Sequence, residues 1–269
     1  MSQATTQTYN PTFFQKLLGR HYKWWYLVKF NLLYDYKLGN AFYFWLVSNL
    51  INVLGIMYVW NNIVKNSDLV LYALVSSIFA RITGSWIQWV VADNINYGQL
   101  NVHLLRPFSL LKLYLVMSFS KPIIESGIFI ICIIVSSWLF YGNTFRFEYF
   151  IALPFLLIGL WINYLCTYIV GLIAFWERNY HAFINVSLTI IPILSGAFIP
   201  LNLLPFSYFL NLNPFAFVFY HPTEIALGKY SPLETFYVFL GGISWCIILY
   251  FLAKWVFKMG LKKNEAVGL

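Results

Sequence analysis

The stretch YFIALPFLLIGLWINYLCTYIVGLIAF, Tyr149–Phe175, runs without one charged side chain. A helix crossing hydrocarbon needs about 20 mostly apolar residues, and this run exceeds that. Comparable runs lie on both sides: Asn40–Trp60, Leu69–Val91 and Pro122–Phe140 before it, Phe183–Ile199 and Leu233–Phe257 after it. The fifth, Phe183–Ile199, is short and is interrupted by Pro192 and Gly196. The expected architecture is therefore all-α, a polytopic membrane protein with six transmembrane helices. Composition agrees. Of 269 residues 61% are hydrophobic, 21% aromatic and only 10% charged, with mean hydropathy +0.70, against about 25% charged in soluble domains.

The formal charge of +8 would point to nucleic acid on a soluble protein. Here it follows from the positive-inside bias of membrane proteins, so nucleic acid is not an expected partner. With the N-terminus inside, only Lys65, Arg146 and Lys229 of the 17 Lys and Arg fall in outer loops, and Arg81 falls within a span. That asymmetry puts both termini in the cytoplasm. Cys132, Cys166 and Cys246 all lie in apolar runs, with no CxxC and no His cluster nearby. They read as small core hydrophobes, not disulfides or zinc ligands. The N-terminal MSQATTQTYNPTFFQK has no charged region leading into an apolar core, so no cleavable signal is expected.

Residues 1–39 form a separate cytoplasmic or interfacial segment ahead of a transmembrane domain at 40–269. In FFQKLLGRHYKWWYLVKF, Lys16, Arg20 and Lys23 share one helical face, and Trp24 and Trp25 suit the headgroup level. The spacing predicts an N-terminal interfacial helix on the inner leaflet. Phe108–Phe140 is too long for one straight span, and Pro122 divides it into a membrane-hugging approach and a span proper. After Pro200 the chain is apolar and aromatic yet carries Pro205, Pro214, Pro222 and Pro232. Prolines at that density forbid one continuous helix. Short helices in an outer re-entrant segment fit best, because broken backbone at membrane depth must be buried in protein or line a cavity.

No GxxxxGK[ST], G-x-S-x-G or HExxH occurs, and His21, His103, His181 and His221 are far apart. Arg81 in the second span and Glu125 in the third read either as a pathway-lining pair or as an ion pair inside the bundle. No carboxylate lies at the middle of a span, which counts against a proton- or sodium-coupled carrier. A membrane enzyme acting on lipid-linked substrates would need a polar cluster at one interface. His221, Glu224 and Lys229 are the only hint, and they read as a solvated rim.

The run DNINYGQLNVHLLRPFS, Asp93–Ser109, joins spans two and three on the inner side. Asn94–Leu105 can form a short amphipathic helix that Pro107 stops, with the Arg106 cation at its favoured C-terminal end. LYALVSSIFARITGSWIQWVVADNINYGQLNVHLLRPFSLLKLYL resembles the second span, cytoplasmic loop and third-span entry of ABC-2 type transporter permeases. The resemblance is to the bacterial branch with a G-x-L…LLRP run there. FWERNYHAFINVSLTIIPILSGAFIPLNLLP and PFAFVFYHPTEIALGK are similar to later runs of the same branch, in the same order.

The resemblance implies a half-permease of the bacterial cytoplasmic (inner) membrane. It would pair with a second permease, as homodimer or heterodimer, and with two separate ATP-binding subunits that hold ATP and Mg. This chain would carry no catalysis and no cofactor, and export is the implied direction. The helix after span two would be the coupling helix, with Tyr97, Gly98, Gln99, Leu100, His103 and Arg106 meeting the ATPase. Spans one, two and five would wall the path, which implicates Arg81, Trp86, Trp89, Asn185, Ser195 and Phe198. The alternatives are a self-sufficient channel or secondary carrier and the lipid-acting enzyme.

Overall fold

The computed structural model describes residues 67–104, 109–119 and 148–267, with scattered helical positions between 44 and 62. The N-terminal interfacial helix, most of the first span, the third span with Glu125, the Arg81 side chain and Arg106 lie outside the described residues. Within them every element is helical, with no strand. In chain order these are α1 Ser67–Thr83, α2 Ile87–Asn96, α3 Leu100–Leu104, α4 Leu110–Phe119 and α5 Glu148–Gly171 with a 3-10 extension to Phe175. There follow α6 Tyr180–Leu194, α7 Ser207–Leu212, α8 Tyr220–Ala226 and α9 Pro232–Val267.

Two of these are long and apolar enough to cross a membrane, Glu148–Phe175 and Pro232–Lys263. The opening stretch is thus a helix, α5, and it is the hub against which α1, α2, α8 and α9 all pack. Its glycines set the close approaches. A Cβ on Gly159 would meet the Phe217 carbonyl at 2.8 Å, and one on Gly171 would meet the Gln88 carbonyl at 2.8 Å. Contacts pair Ile158 with Gly242 and Phe175 with Gly260, so α5 and α9 run parallel. Thr83 lies by Asn163 and Gln88 by Gly171, so α1–α2 runs parallel to them. Helix α6 starts beside Asp93 and ends beside Tyr72; it is antiparallel.

The second span departs from expectation. Leu69–Val91 is not one helix: α1 ends at Thr83 and α2 begins at Ile87. Gly84 weakens helix there, and Asn163 on α5 takes the freed Thr83 carbonyl. Asn94–Leu105 is likewise divided. Helix α2 runs on to Asn96, Tyr97–Gln99 turn, and α3 is only Leu100–Leu104. Gly98 sits at φ 70, the left-handed conformation that ends helices.

The proline-rich segment breaks as its sequence demands. Two 3-10 turns and the short α7 and α8 occupy Leu201–Ala226. Phe217 reaches Gly159, eleven residues into α5, whereas Gly228 lies against Glu148 at its start. At about 1.5 Å per residue the segment dips roughly 16 Å beside α5 and returns. The four carbonyls that enter the segment after α6 are all bonded. Leu194 O accepts from Asn213 Nδ2 at 3.0 Å, Ser195 O from Tyr220 N at 3.1 Å, Gly196 O from Tyr72 Oη at 2.6 Å and Ala197 O from Ser76 Oγ at 3.2 Å.

Candidate functional site

The turn after α2 is fixed at its root and open at its tip. Helix α2 buries Ile87, Val91 and Ile95 on one face, which aims its C-terminus past the end of α5. Tyr97 N bonds Asp93 O at 2.9 Å and Gly98 N bonds Ile95 O at 3.3 Å, closing the turn. Leu100 is 2% exposed and packs in the core that includes Ile95, Leu110, Tyr114 and Leu172. Two polar locks flank it. Asn94 Nδ2 donates to Tyr114 Oη at 3.1 Å, and Tyr180 Oη donates to Asp93 Oδ1 at 2.6 Å. The second has the short length of a hydroxyl on a carboxylate, and it ties the turn to the first residue of α6. The His103 ring stands edge-on to Tyr114 at 6.4 Å and is half-buried. Tyr97 is 69% exposed, with Gly98, Gln99, Val102 and Leu104 exposed beside it.

A polar lattice lies further up the bundle, where the second span breaks. Thr83 O accepts from Asn163 Nδ2 at 2.7 Å. Ser85 Oγ accepts from Thr167 Oγ1 at 3.1 Å and lies 2.8 Å from Ser118 Oγ. Three elements, α1–α2, α4 and α5, therefore meet through hydroxyls and one amide near the middle of the α5 span. One turn on, Gln88 is 1% exposed, and neither polar atom of its amide has a partner among the described residues.

Of the expected path residues, Trp86 is exposed at the break, Asn185 is exposed on α6 and Phe198 is exposed after the α6 turn. Trp89 is half-buried, 5.3 Å from the His181 ring. Ser195 is fully buried, its hydroxyl donating to Pro192 O at 3.0 Å. Sequence reasoning missed the Asp93–Tyr180 clasp and the Asn163 lattice. A lone Asn in an uncharged run was a usable signal for the lattice, whereas nothing local marks Tyr180.

His221, Glu224 and Lys229 are not a solvated rim. His221 is 5% and Glu224 3% exposed, because α8 packs against both α1 and α5. The His221 ring lies 2.9 Å from both Tyr230 Oη and Asn211 O, and Lys229 Nζ pairs with Glu224 Oε1 at 3.0 Å. Burial pushes His221 down to about 4 and raises the Glu224 carboxyl, which Lys229 partly offsets. The cluster clamps the returning segment.

No curated protein matches the chain. A family model described as ABC-2 family transporter protein matches residues 64–268, which takes in the broken second span, the exposed turn, the α5 hub, the dipping segment and α9. The chain belongs to the ABC-2 family of membrane transporter proteins.

Proposed function

We propose that this chain is the permease subunit of an ABC exporter in the bacterial inner membrane, with six spans and both termini cytoplasmic. A second permease, identical or different, completes the path, and two separate ATP-binding subunits carry ATP and Mg. The carrying observation is the Tyr97–Leu104 turn. Its tip is exposed and partly apolar, while Asp93, Asn94 and Leu100 bind its root to α6, α4 and the core. A subunit pressing on that tip moves helices and not a slack loop. Closure of two ATPases would push the turn, and the broken second span would pass the movement toward the dipping outer segment. Tyr97, Gly98, Gln99, His103 and Arg106 are the proposed contacts, with Leu100 as their anchor. Trp86, Asn185 and Phe198 are the proposed path surface with Arg81, and Trp89 and Ser195 support them from inside.

The test is gentle purification from native membranes with every co-purifying chain identified. Recovery of a P-loop ATPase is expected, with at least about tenfold less recovered after combined Tyr97→Ala and Gln99→Ala substitution, by analogy with interface hot spots. A second six-span chain in the eluate would mark a heterodimer. Purification of this chain alone under every mild detergent would sink the proposal.

A further inference from the structure

The outward face of α9 changes character abruptly along its length. Phe236, Leu240, Ile247 and Phe251 share one stripe and are exposed. A three-residue step and then two four-residue steps continue the stripe as Lys254, Lys258 and Lys262, all exposed. The opposite face is closed: Ala253 is fully buried, and Gly260 seats against the Phe175 ring. No carboxylate among the described residues pairs with these lysines, since the one ion pair there joins Lys229 to Glu224. The Lys254 ammonium instead lies 4.3 Å over the Tyr250 ring.

Depth identifies what such a face meets. Gly260 is level with Phe175, where α5 ends its span at one edge of the bundle. Lys254 and Lys258 are four residues apart, about 6 Å along the axis. That matches the roughly 5–7 Å headgroup layer left when a 30 Å core is subtracted from a 40–45 Å bilayer, and Lys262, about 6 Å further on, reaches back to it from the aqueous side. Trp255, 59% exposed beside the ladder, suits the same layer.

We infer that Lys254, Lys258 and Lys262 form a binding face for an anionic phospholipid of the leaflet nearest the Tyr97 turn. The acyl chains lie along Ile247 and Phe251, and the phosphate sits among the ammonium groups. Charge complementarity selects the occupant: three cations with no carboxylate partner among the described residues, at the foot of an apolar stripe, fit a lipid with a net negative headgroup and not a zwitterionic one. The inference does not rest on ATPase docking.

The probe is spin-labelled phosphatidylglycerol against spin-labelled phosphatidylcholine, each added to the purified full-length chain in phosphatidylcholine vesicles. A preference for the anionic lipid of at least about fivefold is expected, roughly the contribution of one lysine, and it should weaken with salt. Combined K254Q, K258Q and K262Q should abolish it and the triple Arg variant should keep it, while K112Q, an exposed lysine on α4, should leave it unchanged. Equal association of both lipids, a salt-insensitive preference, or a preference surviving the triple Gln variant each overturns the inference. So does an acidic protein that co-purifies and displaces the lipid. The salt titration uses the unaltered chain, so the answer does not depend on any variant folding.

Discussion

Gly196 has no room for a side chain and a backbone that other residues avoid. Its φ is +72, and a Cβ there would lie 3.0 Å from Leu201 Cγ and 3.2 Å from both Tyr220 Cβ and Tyr72 Oη. Gly196→Ala should therefore lower stability by about 1–3 kcal/mol, read as a lower melting temperature in detergent. Gly98 has nearly the same φ but nothing within 4 Å, so Gly98→Asn should be close to neutral. His221 supplies a pH test. Its folded value of about 4 lies below the ordinary 6.5, so between those values the unfolded chain binds a proton that the native ring refuses. Stability should fall as pH drops from 6.5 to 4, by about 3 kcal/mol, with no contribution above 6.5. Glu224 acts oppositely: its raised value adds stability at low pH that fades as pH rises through it. Melting curves should lose the acid-side fall in His221→Gln and show it more steeply in Glu224→Gln. An unchanged curve in His221→Gln would remove the buried-imidazole account. The interruption at Gly196 was legible in the sequence. The burial of His221 was not, because it depends on α8 folding back against α1 and α5, which no local pattern records.

The break in the second span shows the same division at the level of elements. Gly84 and Ser85 sit in an apolar run, and one glycine disfavours helix by only about 1 kcal/mol, so the run reads as continuous. What tips it is distant: Asn163, eighty positions on, takes the Thr83 carbonyl, and Thr167 reaches Ser85. The dipping segment was legible because prolines are punctuation in any context. Asn163→Leu keeps most of the volume and removes the donor, leaving a buried carbonyl unpaired. It should cost about 1–3 kcal/mol and speed hydrogen exchange at the amides of 84–88. If exchange there stays as slow as in the unaltered protein, the lattice does not hold the break. Thr167→Val, which spares the Thr83 carbonyl, should have the smaller effect.

Seen whole, the molecule is a bundle with two unlike ends. The starts of α1, α5 and α9 gather at one end with the clamped Tyr220–Tyr230 segment; the ends of α2, α5 and α9 gather at the other with the Tyr97 turn. Among the described residues the lysines divide unevenly, Lys254, Lys258, Lys262 and Lys263 at the turn end with Lys112 on α4, and Lys229 at the other. The positive-inside rule predicts a cytoplasmic turn end, and on that prediction the two ends label from opposite sides. In a background with Cys132, Cys166 and Cys246 replaced, Gln99→Cys and Phe209→Cys introduce single thiols at exposed positions, Phe209 being 71% exposed on α7. A membrane-impermeant maleimide added to intact cells made permeable only in the outer membrane should modify Cys at 209 and spare Cys at 99. Disrupting the inner membrane should expose both. Labelling of both thiols before disruption, or of position 99 alone, would invert or dissolve the topology on which ATPase docking at Tyr97 depends. Retention of the pattern in Asn163→Leu would show that the break does not decide which side each end faces.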